Sequence, residues 1–321
     1  MAERIRSASV AVSLFALVSV GAWGLSHRTV CGGFLPPNDL KIPVGDIHAR
    51  GIAEDVFNKV LDRAEAVYKP IIAAQGGKLA VNRKWTDPTV NASANQSGGT
   101  WFINMYGGLA RHATITEEGF ALVACHEIGH HIGGFPKMRG WATNEGGADY
   151  FSTLKCLRRL LPDTAPEKVD AVAAAACDEA WPEGVDRNHC KSGAMAGMSV
   201  AALFQALRPS TPMPDFAKPD PAVVERTDNA HPAAQCRLDT YFQAALCLKP
   251  LAEELSNSDP SPGTCTEAGG FSKGLRPLCW YKPPPKPAAA LAVAKRSPLM
   301  TEKSLAERLT SLRASFDGRG L

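Results

Sequence analysis

Several features that define common protein classes are missing from this sequence of 321 residues. It has no Cys-x-x-Cys pair, no internal repeat and no glycine-rich loop of the kind that cradles a phosphate group. Its net charge is only +3, and no basic run or aromatic stacking motif accompanies that charge, so nothing favours nucleic-acid binding. With 45% hydrophobic and 21% charged residues, the composition is that of an ordinary globular domain with one well-filled core.

The N-terminal segment, residues 1–26, has the layout of an export signal. Arg4 and Arg6 precede an apolar stretch, Ser7–Leu25, in which the small residues before Trp23 predict cleavage near Ala22. Because the apolar run is long, an uncleaved membrane anchor is the alternative. In either case the rest of the chain is expected to be exported, and to be periplasmic or secreted. Cys31 lacks the small-residue context of a lipoprotein acceptor, so no lipid anchor is predicted.

The most informative stretch is Ala121–Tyr150, which contains the run His126-Glu127-Ile128-Gly129-His130. On a helix, residues four apart lie on the same face, so His126 and His130 can bind one metal ion. Glu127 follows the first histidine, where its carboxylate can act as general base toward a metal-bound water. Such matches also arise by chance on surface helices, but this one lies in an apolar stretch. The pattern therefore predicts a hydrolytic zinc centre with three protein ligands and one open position.

The third ligand separates two classes of zinc peptidase. A metzincin requires HExxHxxGxxH, and Pro136 occupies the position of its last histidine. Glu145 is the better candidate, because Thr143 or Asn144 can cap a new helix that has Glu145 in its first turn. Asp149 lies one turn further along the same face. It is then placed to hold the distal nitrogen of a ligand histidine.

The periodicity of apolar residues predicts a mainly helical α+β fold with a small antiparallel sheet. Helical spacing from Ala49 to Ala74 predicts a long amphipathic helix whose apolar stripe faces the core. Alternation predicts three strands after it, and Thr114 with Glu117 forms a candidate capping box for the metal helix. The last strand is expected to form an open sheet edge beside the metal, to which an extended substrate can add. The predicted strands are Leu79–Trp85, Val90–Ala94 and Thr100–Met105, and further helices are predicted from Pro166 to Cys177, from about Ser192 to Leu207, and after His231.

Nine cysteines in an exported chain are expected to form disulfides rather than metal sites. Because nine is odd, at least one stays unpaired within the chain, and Cys125 is our candidate since it lies on a buried helix. Cys236 and Cys247 share one predicted helix and are about 16 Å apart, too far to bond to each other. Cys265 or Cys279 is expected to supply their partners.

The stretch from Val90 to Gly134, VNASANQSGGTWFINMYGGLARHATITEEGFALVACHEIGHHIGG, resembles gluzincin metallopeptidases of the HtpX and CAAX-prenyl endopeptidase group. That group carries an asparagine-containing strand, paired glycines, a second strand, a Gly-Leu and a HEIGH-type helix in this order. Glu145 to Asp149 is similar to its ExxAD element. The resemblance implies a zincin-like fold with Glu145 as the third zinc ligand and Asp149 as a supporting acid. Because membrane-spanning helices like those of HtpX are missing, it also implies a soluble exported member that does not act on prenylated substrates.

The resemblance also assigns roles downstream. His231-Pro232 followed by Arg237 is similar to a His-Pro with an arginine six residues after the histidine in that group. It implies that His231 donates a hydrogen bond to the developing oxyanion and that Arg237 orients or reinforces this donor. A tetrahedral intermediate needs such a second electrophile besides the metal. Without the resemblance, a histidine before proline would be interpreted as a helix-entry residue.

These observations together predict a zinc endopeptidase. His126, His130 and Glu145 are expected to hold one zinc ion per chain, while Glu127 takes a proton from water and passes it to the leaving amine. The expected partners are extended polypeptides among exported or envelope proteins. The alternative is a non-catalytic, metal-stabilised envelope protein that binds unfolded or assembling partners, against which the general base Glu127 argues.

Three regions of the chain are predicted from its composition. Residues 1–26 form the signal or anchor, and residues 27–281 form the metallopeptidase domain with a disulfide-rich C-terminal part. Residues 282–321 form a proline-rich linker followed by a short terminal helix that begins near Thr301.

Overall fold

The computed structural model describes residues 32–138 and 140–285. The predicted signal or anchor, Cys31 and the predicted terminal helix lie outside the described residues, and so does the linker from residue 286 onward. Within the described ranges, no helix combines the length and the apolar character needed to cross a membrane.

Helices and strands share the first half of the described chain, and helices dominate the second half. The chain forms a mixed α+β structure with one small sheet. Its elements are α1 Glu54–Ala74, β1 Lys78–Lys84, β2 Ala92–Ser97, β3 Thr100–Tyr106, α2 Gly107–Arg111, α3 Glu117–Ile132, α4 Glu145–Phe151, a π-helical turn Ser152–Leu157, α5 Arg158–Leu160, α6 Ala171–Ala180, α7 Val185–Leu207, α8 Ala234–Ala245 and a 3-10 turn Glu267–Gly269.

The sheet is mixed, so the prediction of a purely antiparallel sheet is wrong. Its strand order is β1-β3-β2, with β1 parallel and β2 antiparallel to β3. Gly98 and Gly99 form the two-residue β2–β3 hairpin loop, and both have the positive φ that a tight hairpin turn requires. Because β3 lies in the centre, the edge strand beside the metal helix is β2 and not the last strand. Alternation of side chains sets their faces but carries no information on strand order.

Helix α3 forms the centre of the molecule. Its residues from Gly119 to Ile132 are all buried, and it packs against α1, α4, α7 and strand β2. A helix that is apolar on all sides is expected in such a central position. Its N-cap is Thr116, whose hydroxyl accepts a hydrogen bond from Gly119 N at 3.0 Å, so the predicted capping role of Thr114 is wrong. Thr114 instead bonds to the ring of His112.

The helix after the metal motif begins as predicted. Asn144 is the N-cap of α4, and its side-chain oxygen accepts a hydrogen bond from Gly147 N at 2.9 Å. Other helix starts differ from the prediction. Helix α1 begins at Glu54 rather than Ala49, and α6 begins at Ala171 because Asp170 provides the cap instead of the turn at Pro166.

The disulfides correct one prediction and confirm another. Cys125 is bonded to Cys156, so its assignment as a free thiol is wrong: the bond joins α3 to the π-helical turn that packs beside it. The expectation that Cys236 and Cys247 find partners in the C-terminal part is confirmed. The bonds in the described part of the chain are Cys125–Cys156, Cys177–Cys190, Cys236–Cys279 and Cys247–Cys265.

The C-terminal loops pack onto the helices that carry the site. Trp280 is fully buried against α4 and α8, and its indole N–H donates to Thr240 Oγ1 at 2.9 Å. A Cβ added at Gly146 would lie 2.2 Å from the Trp280 ring, so this position of α4 accepts only glycine. The first turn of α4 is therefore held from outside by the disulfide-rich region.

Candidate metal centre

Three side chains from two helices converge at the centre of the molecule. The ligand atoms of His126 and His130 on α3 and of Glu145 on α4 all lie within 4.8 Å of one another. His126 Nε2 is 3.3 Å from Glu145 Oε2, and His130 Nε2 is 3.8 Å from Glu145 Oε1. All three residues are buried. The two helices thus bring together the three ligands predicted from the sequence.

The spacing and chemistry of this cluster fit a metal ion. Two ligands of a tetrahedral zinc ion lie about 3.4 Å apart when each is about 2.1 Å from the metal. Two buried atoms that face the cluster, His126 Nε2 and Glu145 Oε2, make no hydrogen bond within the described residues. Two imidazoles and a carboxylate are also ligands that suit zinc. A second group of metal-ligand type, Asp220 with Cys236 and Cys279, does not qualify because its two cysteines are joined in a disulfide.

Each ligand histidine is fixed in one tautomer by an acceptor behind it. Asp149 Oδ1 lies 2.7 Å from His126 Nδ1, and the carbonyl oxygen of Thr143 lies 2.9 Å from His130 Nδ1. Since these oxygens can only accept, both Nδ1 atoms carry a proton, which leaves Nε2 as the atom of each ring that would bind a metal ion. The predicted contact between Asp149 and a ligand histidine is confirmed.

The same oxygen of Asp149 accepts two further hydrogen bonds. Arg237 Nη2 donates to Asp149 Oδ1 at 2.6 Å, and Tyr241 OH donates to it at 2.7 Å. Arg237 also donates to Phe34 O and to Tyr241 OH, and within the described residues none of its hydrogen bonds goes to His231. The structure therefore places Arg237 behind the metal ligands, whereas the sequence suggested a place beside His231.

Glu127 is fully buried next to the ligand set. Neither of its carboxylate oxygens has a hydrogen-bond partner within the described residues. Burial is the largest influence on this group and raises the pKa of Glu127 to about 8. A fully buried carboxyl group without a hydrogen-bond partner is rare and calls for an explanation.

Opposed effects set the protonation of the ligand histidines. Burial disfavours the charged form of His126, but Asp149 and Glu145 outweigh it and raise the pKa of His126 to about 9. Burial dominates at the second histidine and lowers the pKa of His130 to about 4. Burial also acts to raise the pKa of Glu145, but the two imidazoles outweigh it and lower that pKa to about 2. Without a metal, protons on His126 and Glu127 thus compensate the carboxylates, and a bound cation would replace them.

Close packing of α3 on α4 brings Glu145 to the histidines. A Cβ added at Gly129 would lie 2.9 Å from Phe151 Cδ1 and 3.1 Å from Ala148 Cα. The glycine of the HEIGH run is therefore needed for the approach of the two helices.

The third histidine of the run has a structural position. His131 is stacked between Trp101 and Trp141, with ring centroids 5.4 Å and 4.7 Å away. Its Nε2 donates to Phe102 O at 3.1 Å, and its Nδ1 accepts from Gln96 Nε2 at 3.2 Å. Burial lowers the pKa of His131 to about 3, so the ring is neutral. His131 ties the metal helix to strands β2 and β3.

His231 lies beside Glu145 and is less buried than the three ligand residues. Its Nε2 is 3.4 Å from Glu145 Oε2 and donates to the carbonyl oxygen of Gly33 at 2.7 Å. Burial lowers the pKa of His231, so the ring donates as neutral imidazole. An apolar cavity of about 460 Å³ adjoins it, lined in part by Phe204, Pro212 and Met213. His231 thus lies between the metal-ligand group and this cavity.

Three contributors to the site are missing from the sequence prediction. Tyr241 carries no predicted role, although it follows Arg237 by four residues and so shares its face of α8. The Thr143 carbonyl and Phe34 leave no sequence signal. Phe34 packs edge-on against His126, with ring centroids 4.9 Å apart. The i, i+4 relation is thus the one signal that could have identified a missed residue.

Comparison of the chain with protein-family models, with curated proteins and with solved structures finds no significant match. The zincin-like fold and the likeness to the HtpX group therefore stay predictions. The structure itself provides the mixed α+β fold and a buried His126-His130-Glu145 group that could hold a metal ion.

Proposed function

We propose that this chain is a zinc-dependent endopeptidase. The proposal depends on one observation: Glu127 is fully buried beside His126, His130 and Glu145, and neither of its oxygens is hydrogen-bonded. A purely structural metal site has no use for an unpaired carboxylate next to its ligands, whereas a hydrolytic site needs a general base at this place.

The roles of the residues follow from their positions. Bound to His126, His130 and Glu145, zinc would supply Lewis-acid activation of a water molecule and of the peptide carbonyl. Glu127 takes the proton that the attacking water loses and delivers it to the amine that leaves. His231 donates from Nε2 to the oxygen that becomes negative. Arg237 does not touch the reacting atoms; it holds Asp149 and through it the ring of His126.

An extended polypeptide is the substrate that suits the surroundings of the site. β2 is an edge strand that pairs only with β3 among the described strands, and it packs beside α3. Main-chain hydrogen bonds to such an edge hold a peptide without regard to its sequence. Exported or envelope proteins are the proposed substrate class, because an N-terminal export signal is predicted and disulfides suit an oxidising compartment.

Zinc content and casein cleavage, measured together, test the proposal. The proteins compared are the wild type, Glu127→Gln and Glu118→Gln, the last being the same substitution on the same helix at a more exposed position. All three should bind about one zinc ion. The wild type and Glu118→Gln should cleave casein, while Glu127→Gln should lose at least about 100-fold in rate, as removal of a general base does.

Two results would contradict the proposal. Cleavage by Glu127→Gln at the wild-type rate would remove the assigned base. Zinc binding without cleavage by the wild type would favour the non-catalytic alternative, a metal-stabilised protein that binds unfolded partners.

A further inference from the structure

The segment Gly33–Leu35 lies in the site as a bound peptide would. Its backbone pairs with the start of the edge strand: Phe34 N donates to Ala92 O at 2.8 Å. Leu35 N donates to Asn91 Oδ1 at 2.9 Å, and Leu35 O accepts from Asn91 Nδ2 at 3.3 Å. The segment thus uses the same outer edge of β2 that an extended substrate would use.

The other two backbone oxygens of the segment accept hydrogen bonds from His231 and Arg237. Gly33 O accepts from His231 Nε2 at 2.7 Å, and that nitrogen is also 3.4 Å from the metal-ligand carboxylate Glu145. Phe34 O accepts from Arg237 Nη1 at 3.0 Å. The Gly33 carbonyl therefore lies where the oxyanion donor and the ligand set meet.

The side chain of Phe34 fills the space behind this carbonyl. The residue is fully buried; its ring lies 4.9 Å from the His126 ring and 5.5 Å from the Phe204 ring, measured between centroids. The guanidinium of Arg237 lies over its face, 4.5 Å from the centroid. Phe34 is thus held as an apolar anchor next to one specific peptide bond.

Gly33 itself is required by this arrangement. Its φ is +105°, a region that other residues rarely adopt. A Cβ at this position would lie 2.8 Å from Asn91 Nδ2 and 3.0 Å from Ala92 O. At the neighbouring Gly32, by contrast, an added Cβ meets nothing within 4 Å.

We propose that the chain is its own substrate and that it hydrolyses the Gly33–Phe34 peptide bond; this inference rests on the proposed endopeptidase function. Water adds to the carbonyl carbon of Gly33, and the bond from that carbon to Phe34 N breaks. Gly33 becomes a carboxylate, and Phe34 N takes the proton that Glu127 has accepted from the water. The cut separates residues 1–33, which include the predicted signal or anchor, from the body of the enzyme.

The test follows the intact mass and N-terminus of the full-length chain loaded with zinc. The wild type should give a product that begins at Phe34, distinct from the product of a cut near Ala22. Its rate constant should be independent of protein concentration, because the reaction is intramolecular. Glu127→Gln should stay uncut.

Substitutions at two neighbouring glycines test whether the cut depends on how the segment Gly33–Leu35 packs against the edge strand. Gly33→Ala should slow the cut at least about 10-fold, because the added methyl group collides with the edge strand, while Gly32→Ala should be cut at the wild-type rate. Hydrogen exchange on metal-free Glu127→Gln tests the position of the segment without requiring any peptide cleavage. The amides of Phe34 and Leu35 should be protected there, because they donate to Ala92 O and Asn91 Oδ1.

The possible failures are distinguishable. If the wild type cleaves casein but leaves Gly33–Phe34 intact, or if those two amides exchange freely, the inference is overturned and the proposed function stands. If the chain cuts itself at Gly33–Phe34 but not casein, the inference stands, and the proposed action on other polypeptides falls. If neither substrate is cut, both are wrong.

Discussion

Asp149 connects the metal ligands to the rest of the core through a single oxygen. His126, Arg237 and Tyr241 all donate to its Oδ1, at distances between 2.6 and 2.7 Å. The carboxylate therefore both orients a ligand ring and neutralises a fully buried guanidinium. Removing its charge has two separable consequences, one for metal affinity and one for stability.

Asp149→Asn should weaken zinc binding about 10- to 100-fold, because the neutral amide no longer supplies the negative charge that makes His126 a stronger ligand. It should also lower the free energy of unfolding of the metal-free protein by about 3–5 kcal/mol, because Arg237 is left as an unpaired buried charge. Competition with a chelator measures the first effect and urea unfolding the second. Tyr241→Phe is the control: it leaves the ion pair in place and should cost only about 1–2 kcal/mol. Equal effects of the two variants would show that the charge of Asp149 is unimportant.

His231→Asn should lower kcat/KM for peptide cleavage about 100- to 1000-fold, because the donor to the developing negative oxygen is lost. Zinc content should stay the same, since His231 is not in the ligand set. His48→Asn makes the same change at an exposed position and should leave kcat/KM unchanged. Loss of zinc from the His231→Asn variant would show that His231 is a metal ligand rather than a hydrogen-bond donor to the substrate.

The parts of the site that lie within one helical turn could be predicted from the sequence. His126 and His130 follow from the i, i+4 relation, and Glu145 and Asp149 from the same relation after an N-cap. The partner of Arg237 could not, because Arg237 and Asp149 are 88 positions apart and meet only when α8 packs on α4. Long-range packing of this kind leaves no local pattern.

At the level of elements, the site depends on how α4 and the π-helical turn sit against α3. The Cys125–Cys156 disulfide joins α3 to that turn across a separation of 31 positions. Cys125 precedes His126, so the bond is anchored next to the first ligand. The bond should therefore matter for metal geometry as well as for stability.

Replacing Cys125 and Cys156 together by alanine should lower the free energy of unfolding by about 3–4 kcal/mol, the magnitude for closing a loop of this length. It should also weaken zinc binding. The matched control removes Cys177–Cys190, which joins α6 to α7. That variant should lose about 3 kcal/mol and keep its zinc affinity. Unfolding curves and chelator competition on both variants check this, and an equal loss of affinity would refute a local role for Cys125–Cys156.

Most element types could be predicted from periodicity, and their arrangement could not. The β2–β3 hairpin follows from the glycine pair Gly98-Gly99, and α1 from its apolar stripe. The parallel pairing of β1 with β3 and the edge position of β2 depend on how the chain between Lys84 and Ala92 crosses the sheet. The bond partner of Cys125 depends in the same way on helix packing. The side-chain pattern indicates only that Cys125 is buried. A free cysteine and a disulfide-bonded cysteine can both be buried, so the pattern does not distinguish them.

At the level of the whole molecule, the site buries three carboxyl groups, and protons help to compensate their charge when no metal ion is bound. Glu127, Glu145 and Asp149 are buried together, and the buried guanidinium of Arg237 pairs with Asp149. A dication among these groups would replace those protons. Metal binding should therefore contribute to the stability of the fold.

Removing zinc should lower the thermal midpoint of the wild type. A free concentration 1000-fold above Kd contributes about 4 kcal/mol, which corresponds to a shift of about 10 °C for a chain of this size. Calorimetry with and without a chelator measures the shift. His130→Asn, which removes one ligand, should lose most of this zinc-dependent shift, and His48→Asn should retain the shift. An unchanged midpoint in the wild type would mean that the site does not bind zinc.

X-ray absorption at the zinc edge tests most directly whether His126, His130 and Glu145 hold the metal with a position left open for chemistry. Wild-type protein carrying one zinc ion should give a spectrum with two imidazole ligands, one carboxylate and one further light-atom ligand, all at about 2.0–2.2 Å. His130→Asn should lose the signature of one imidazole. A sulfur ligand at about 2.3 Å, or two imidazole signatures that persist in His130→Asn, would contradict the assigned centre.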